Sequence, residues 1–454
     1  GATQAGRIEF ALNGGRIFTD AIDNSAGVDC SDHEVNIKIW LDTEVNAGEL
    51  AEDERNRVLN EMTGAVEDLV LRDNKQQTHL LTREAQAQAT ASVVDGYAAL
   101  ITNLEGEGAV NRELEQLPSD TELQRRKALG LGLTAPELAV VIANVKNRFK
   151  RTLLAIDLTS ESWAESLLRP YFPAQLVATR NPLNHPLANA ILATVLANEA
   201  VNRCGPLMLR DLAAEHRVEE TEVVKAWARA WSALHLAPVF DALDADALSV
   251  PRDVSMMVDT RTRALLRAVI EGVLSLPAGT DGMAELSTLF GQADQLRSLT
   301  PARSEADGHT GLPASFTAAW KAVETIESLA TFLFAAVSVQ RPSGMSLAQF
   351  LQVGMLLRQQ AGIDMLERGL KLPAQSKSQE QLRNYAMQAL RRTQQRLLLQ
   401  VIEQAGTGGD AQAAVKAVTE ARGLTGFAQP TDLEQAMLDV WALSEGSNPD
   451  RLAA

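Results

Sequence analysis

Apolar residues recur every three or four positions along most of this chain, a spacing that fits helices and little else. Val58, Met62, Ala65, Val66, Leu69 and Val70 share one face of a helix predicted over about 51–72. Leu138, Val141, Ile142, Val145, Phe149 and Leu153 do the same after Thr134 and Glu137, whose spacing is that of a capping box with Pro136 in the first turn. Ser119 and Glu122 repeat that spacing, while His185-Pro186 opens and Gly205-Pro206 closes a further helix. Composition agrees: 46% of residues are hydrophobic but only 4% are aromatic, which favours helices packed through small aliphatic side chains over sheets. Further helices are expected over 82–104, 315–339, 346–360 and 379–403, with polar connections over 276–312 around one short helix over 283–292.

A chain of 454 residues holds about two to four domains. Soft boundaries near Pro118 and over Asp241–Pro251 divide it into 1–117, 118–250 and 251–454. The net charge of −16 argues against nucleic acid or an anionic membrane as partner. Leu212 to Trp227 has the outline of a helix-turn-helix, but Arg217 stands where the turn wants glycine and Glu219-Glu220-Thr221-Glu222 would face phosphates, so two packed helices are expected. No run of roughly eighteen apolar residues occurs, and the expected setting is cytoplasmic. Cys30 and Cys204 lack metal-ligand spacing and are expected to be reduced and buried. Lys146, Arg148, Lys150 and Arg151 form a basic cluster that suits either a solvated helix end or a phosphate, the first being the commoner use. Asn198 and Asn202 continue an apolar stripe, where amides more often bond a neighbouring helix than a ligand. Arg261, Arg263 and Arg267 form an expected ion-pair strip.

The most distinctive stretch is Asp23 to Glu34. Ser25, Ala26 and Gly27 interrupt any regular element, and Ser31, three residues before Glu34, has capping-box spacing. A strand over Arg16 to Ile22 is therefore expected to end in a tight turn, with a helix starting at Ser31. Unpaired N–H groups beside a hydroxyl at such a start can seat a carboxylate or phosphate. The plainer reading is a cap only.

Thr3-Gln4, the turn Asn13-Gly14-Gly15 and Asn24-Ser25-Ala26-Gly27-Val28-Asp29-Cys30-Ser31 together resemble the end of the cofactor domain of glutamate dehydrogenases, and the run through Ile39 resembles their large bacterial NAD-specific branch. Leu117-Pro118-Ser119-Asp120, Gly132-Leu133-Thr134-Ala135-Pro136-Glu137 and Tyr171-Phe172-Pro173 resemble the same branch. The resemblance is strong over the first half and weak over the second. Two departures stand out: Ala26 occupies the place of a usual glycine, and the family's catalytic lysines, catalytic aspartate and glycine-rich loop would lie upstream of Gly1.

What the resemblance implies is a mainly α chain in which helical domains follow a small remnant of a Rossmann-like cofactor domain. It implies an NAD-dependent glutamate dehydrogenase converting L-glutamate to 2-oxoglutarate and ammonia, homo-oligomeric, with no catalytic residue and no metal site in this stretch. Ser31 would bind the substrate's side-chain carboxylate, Val28 would line its pocket, and Asn24 with Gly27 would lie on the nicotinamide side. By itself this stretch is expected to lack turnover. A different class of function is a helical module for oligomerisation or effector binding.

Overall fold

Side-chain caps set the start of only a few α-helices among the described residues, those that follow Thr3, Ser119 and Thr134. The computed structural model describes residues 1–246, 249–276, 287, 304–338, 345, 347–361, 363, 377–405 and 411–421. Among these, every regular element is helical, so the chain is mainly α as its periodicity predicts. No helix among the described residues is long and apolar enough to cross a membrane. The chain forms two units, Gly1–Pro238 and Val239–Ala454.

In the first unit the helices run α1 (Gln4–Leu12), α2 (Asp20–Asp23), α3 (Ser25–Asn46), α4 (Glu52–Glu61), α5 (Thr63–Ala87), α6 (Ala91–Gly106), α7 (Asp120–Ala128), α8 (Ala135–Leu153), α9 (Ala164–Leu168), α10 (Ala174–Val177), α11 (Ala188–Cys204), α12 (Pro206–His216) and α13 (Glu220–Ala233). The α8–α11 pair is the centre. Leu138, Val141, Val145 and Phe149 of α8 are buried, as are Leu192, Leu196 and Val201 of α11. Helix α5 packs on α8, and α3 packs on α5. The expected caps are present: Ser119 Oγ accepts from Glu122 N at 3.2 Å, and Thr134 N and Oγ1 both donate to Glu137 Oε2 at 2.7 Å. Gly205 ends α11 at φ +77°, a conformation that costs a side-chain-bearing residue. Helices α12 and α13 pack as a pair, with Arg217 left-handed at their junction.

Three expectations about this unit fail. Residues 16–22 form no strand: Thr19 precedes the short helix α2, and Arg7 clamps it by donating to Phe18 O at 2.8 Å, Asp20 Oδ1 at 2.9 Å and Asp23 Oδ2 at 2.5 Å. A strand needs a neighbour for its N–H and C=O groups, and the described residues supply none, so the expected Rossmann-like remnant is not confirmed among them. The helix expected over 51–72 breaks at Met62, where Thr63 Oγ1 turns back to Asn60 O at 3.2 Å. The helix expected over 82–104 is likewise two. Buried Gln88 lies between α5 and α6, its Oε1 accepting from Leu133 N at 3.0 Å and so holding the loop before α8.

In the second unit Arg252–Leu274 packs along Ala314–Ser338. A Cβ on Gly272 would fall 2.3 Å from the Phe334 ring, so the two helices approach there through a glycine. Leu265, Val269, Trp320 and Val323 are buried. The arginine strip is an ion-pair strip in part: Arg261 Nη1 lies 3.1 Å from Glu327 Oε2, and Arg267 Nε lies 3.0 Å from Glu271 Oε1. The helices expected over 315–339, 346–360 and 379–403 are present as Ala314–Ser338, Leu347–Gln360 and Lys377–Ala405, followed by Ala411–Ala421. The short helix expected over 283–292 lies outside the described residues, except Ser287.

Candidate functional site

Helix α3 begins six residues earlier than its sequence suggests. Ser25, Ala26 and Gly27 form its first turn, because Asn74 of α5 donates to both Ser25 Oγ at 2.7 Å and Ile22 O at 3.1 Å and holds the chain in place. Ser31 therefore lies inside the helix, and the capping box with Glu34 does not form. The unpaired N–H groups belong instead to the turn that starts at Ser25.

That shift changes which residues stand together. Asn24, Gly27, Val28 and Ser31 are spaced i, i+3, i+4, i+7, so they run along one stripe of α3 and its N-cap. All four are exposed, Val28 at 69%. The Asn24 side chain makes no capping bond, and a Cβ on Gly27 would meet only Asn24 Oδ1, at 3.8 Å. Cys30, expected to be buried, is exposed instead, since it lies off the buried face of α3; Cys204 is buried as expected.

The opposite face of α3 carries Asp29, His33, Ile37, Trp40 and Leu41. His33 is 1% exposed and its ring lies 4.4 Å from that of Tyr171. Its Nε2 is 3.9 Å from Asp29 Oδ1 and 3.6 Å from Asp73 Oδ2 of α5, and neither ring nitrogen has a hydrogen-bond partner among the described residues. One donor atom from each of the three residues lies within 4.8 Å of the others, which is metal-like spacing. Arg72 Nε donates to Asp73 Oδ1 at 3.1 Å, so a guanidinium already lies against this group. Burial and then the Asp73 charge push Asp29 up to about 6. Burial acts on Asp73 in the same sense, but His33 and Arg72 outweigh it and hold that carboxyl below its ordinary value. Asp29 and His33 show the i, i+4 spacing of a shared helix face, but no sequence spacing could add Asp73.

A pH effect follows from Asp29. Its folded value of about 6 exceeds the ordinary 3.8, so the folded state binds this proton the more tightly. Ionising it costs stability above pH 6, and that cost is gone once the pH falls below its ordinary value. With the side chain 26% exposed, Asp29→Asn should stabilise the first unit by about 1–2 kcal/mol at pH 7.5 after allowing for solvent screening. The gain should fade between about pH 6 and pH 4. Urea melts across that range test it, and a pH-independent difference between variant and parent would contradict it.

His185 behaves as its position before the helix suggests. Its Nδ1 accepts from Leu187 N at 2.9 Å, which leaves Nε2–H to donate to Asn36 O of α3 at 2.8 Å. The basic cluster of α8 divides between two faces. Arg148 pairs with Glu107 and Glu220, while Lys146 and Lys150 turn toward α5 and α11.

Residues 1–84 match the family described as bacterial NAD-glutamate dehydrogenase, catalytic domain, and residues 130–425, well over half of the chain, match the one described as glutamate dehydrogenase, C-terminal. The chain belongs to the glutamate dehydrogenase family. Relatives include the NAD-specific glutamate dehydrogenase of Mycobacterium tuberculosis, 41% identical over 264 residues, which are 58% of this chain and 16% of that protein. Those of Halomonas elongata and Pseudomonas aeruginosa are each 38% identical, over 57% and 56% of this chain and 16% of theirs. The chain thus matches about a sixth of the length of these relatives. Its exposed α3 stripe lies within the part that matches the catalytic-domain family.

Proposed function

We propose that this chain supplies one wall of the substrate and cofactor cleft, together with adjoining helical domains, of a cytoplasmic NAD-dependent glutamate dehydrogenase that oxidatively deaminates L-glutamate to 2-oxoglutarate and ammonia. The observation that carries this reading is the alignment of Asn24, Gly27, Val28 and Ser31 on one open stripe of α3. The residues fit the cofactor's amide end: Asn24 has an amide free of capping and Gly27 leaves open space beside it. NAD, when bound, supplies the hydride acceptor. Ser31 donates a hydrogen bond to the side-chain carboxylate of glutamate and so fixes its depth, and Val28 excludes water along its methylenes. None of these residues moves the reacting proton. Within the same reading 1–117 is the cofactor-domain end with its return helices, and 118–250 and 251–454 are helical domains.

A hydrogen bond to a charged carboxylate contributes about 1.5–3 kcal/mol. In the complete enzyme Ser31→Ala should therefore raise the KM for glutamate about ten- to a hundredfold and lower kcat far less. Steady-state kinetics decide it, and an unaltered KM removes Ser31 from substrate binding. Within the same reading the complete enzyme is a homo-oligomer.

A further inference from the structure

Helices α5, α8 and α11, with Ile22 of α2, line an open cavity of about 230 Å³ whose residues are not those of the proposed cleft. Lys146 and Lys150 of α8 line it, one helical turn apart, and among the described residues neither makes a hydrogen bond or an ion pair closer than 4 Å. Gln77, Asn147 and Asn198 add amides that also lack hydrogen-bond partners among the described residues. The contrast with the next asparagine on α11 is direct: buried Asn202 does bond a neighbouring helix, donating to Gln76 Oε1 at 3.3 Å. No aspartate or glutamate lines the cavity, in a chain whose net charge is −16. Leu80, Leu81, Ile142 and Ala197 make the rest of the wall apolar.

From this geometry we infer that the cavity is a binding site for a small aliphatic dicarboxylate. Two ammonium groups one turn apart, with Cβ atoms about 5–6 Å from one another, suit two carboxylates joined by a few methylenes. The amides supply N–H donors, and the apolar wall covers the carbon chain in a way that offers nothing to an inorganic ion. Burial pulls Lys146 down to about 8, against the opposing pull of Glu199 on α11 and Asp73 on α5. A lysine in that state gains its full charge when an anion arrives, so binding near pH 8.5 should take up a proton. The cavity also joins the two family-matched stretches, because Gln77 and Leu80 lie in the first and α8 and α11 in the second. A ligand there tightens the packing of one stretch on the other.

The test is titration calorimetry of the 454-residue chain with succinate, with uncharged succinamide and inorganic phosphate as comparison probes. The expected result is saturable one-site binding of succinate, weakened about tenfold or more in Lys146→Gln and in Lys150→Gln, with no heat from succinamide. Comparing buffers of different ionisation heat should show proton uptake that disappears in Lys146→Gln. Circular dichroism checks that each variant is folded. Ala143→Trp, at an exposed position on the rim, keeps both lysines and should abolish binding by filling the opening. The inference is overturned if succinate gives no saturable heat, if both lysine variants bind it as tightly as the parent, or if phosphate binds equally well and Ala143→Trp changes nothing. Binding is read without turnover, so the dehydrogenase reading and this one fail separately.

Discussion

Arg126→Ala is expected to destabilise the first unit by about 3–5 kcal/mol, the cost of leaving a buried carboxylate without its partner. Arg126 is 5% and Glu137 1% exposed, and Arg126 Nη1 reaches both Glu137 oxygens, at 3.0 and 2.9 Å. The same guanidinium donates to Glu122 Oε1 at 2.9 Å and Gly132 O at 3.3 Å, so one side chain ties α7 and the following loop to the start of α8. In the variant Glu137 keeps only its bonds from Thr134, which cap the helix but do not neutralise the charge. Calorimetry should show the transition of this unit falling by about 6–20 °C. The paired replacement Arg126→Met with Glu137→Leu removes both charges together and should cost only about 1–2 kcal/mol, chiefly the lost cap. A single variant as mild as the pair would show that the charge is not buried in the way described.

Trp40→Ala should cost a similar amount, about 3–5 kcal/mol, for a different reason. Trp40 is buried on α3, with its ring edge-on to Phe172 at 5.0 Å and to His185 at 5.6 Å. His185 in turn bonds Asn36 O, so these rings seat α3 against the segment that leads into α11. Alanine leaves a void and loses two aromatic pairs, each contributing about 0.5–1.5 kcal/mol beyond area burial. Trp40→Phe keeps a ring in the gap and should lose less than about 2 kcal/mol. If Ser31 binds glutamate as proposed, Trp40→Ala in the complete enzyme should also raise the KM for glutamate, because a loosened α3 carries Ser31 out of place although Trp40 faces away from it. Urea unfolding and steady-state kinetics measure the two effects, and a variant with parental stability contradicts both.

What could be read in advance was what neighbouring residues decide among themselves. The cap at Ser119, the box at Thr134 and the stop at Gly205 need only a few consecutive residues, and each stands where the sequence places it. The resemblance singles out Asn24, Gly27, Val28 and Ser31, but the helix that carries them was not legible. Ser25-Ala26-Gly27 has the composition of a turn, yet Asn74, some fifty positions later in the chain, holds it as helix. The strand over 16–22 failed for the same kind of reason, since Arg7 closes on α2 from another element. His33 illustrates the limit most plainly: its neighbours Asp73 and Tyr171 come from α5 and from the segment before α10, and periodicity carries no information about either. The same holds for Lys146 and Lys150, whose cavity exists only because three helices meet.

An unbroken α3 has a mechanical corollary. From Asn24 to Ser31 the backbone advances about 10 Å along a single rod, at 1.5 Å per residue. A turn between them could flex to admit shorter or longer diacids. A rod cannot, so on the proposed placement of NAD beside Asn24 and of glutamate at Ser31 the interval between the two would be a fixed gauge, and preference for one acid length over its homologues would be built into the backbone itself.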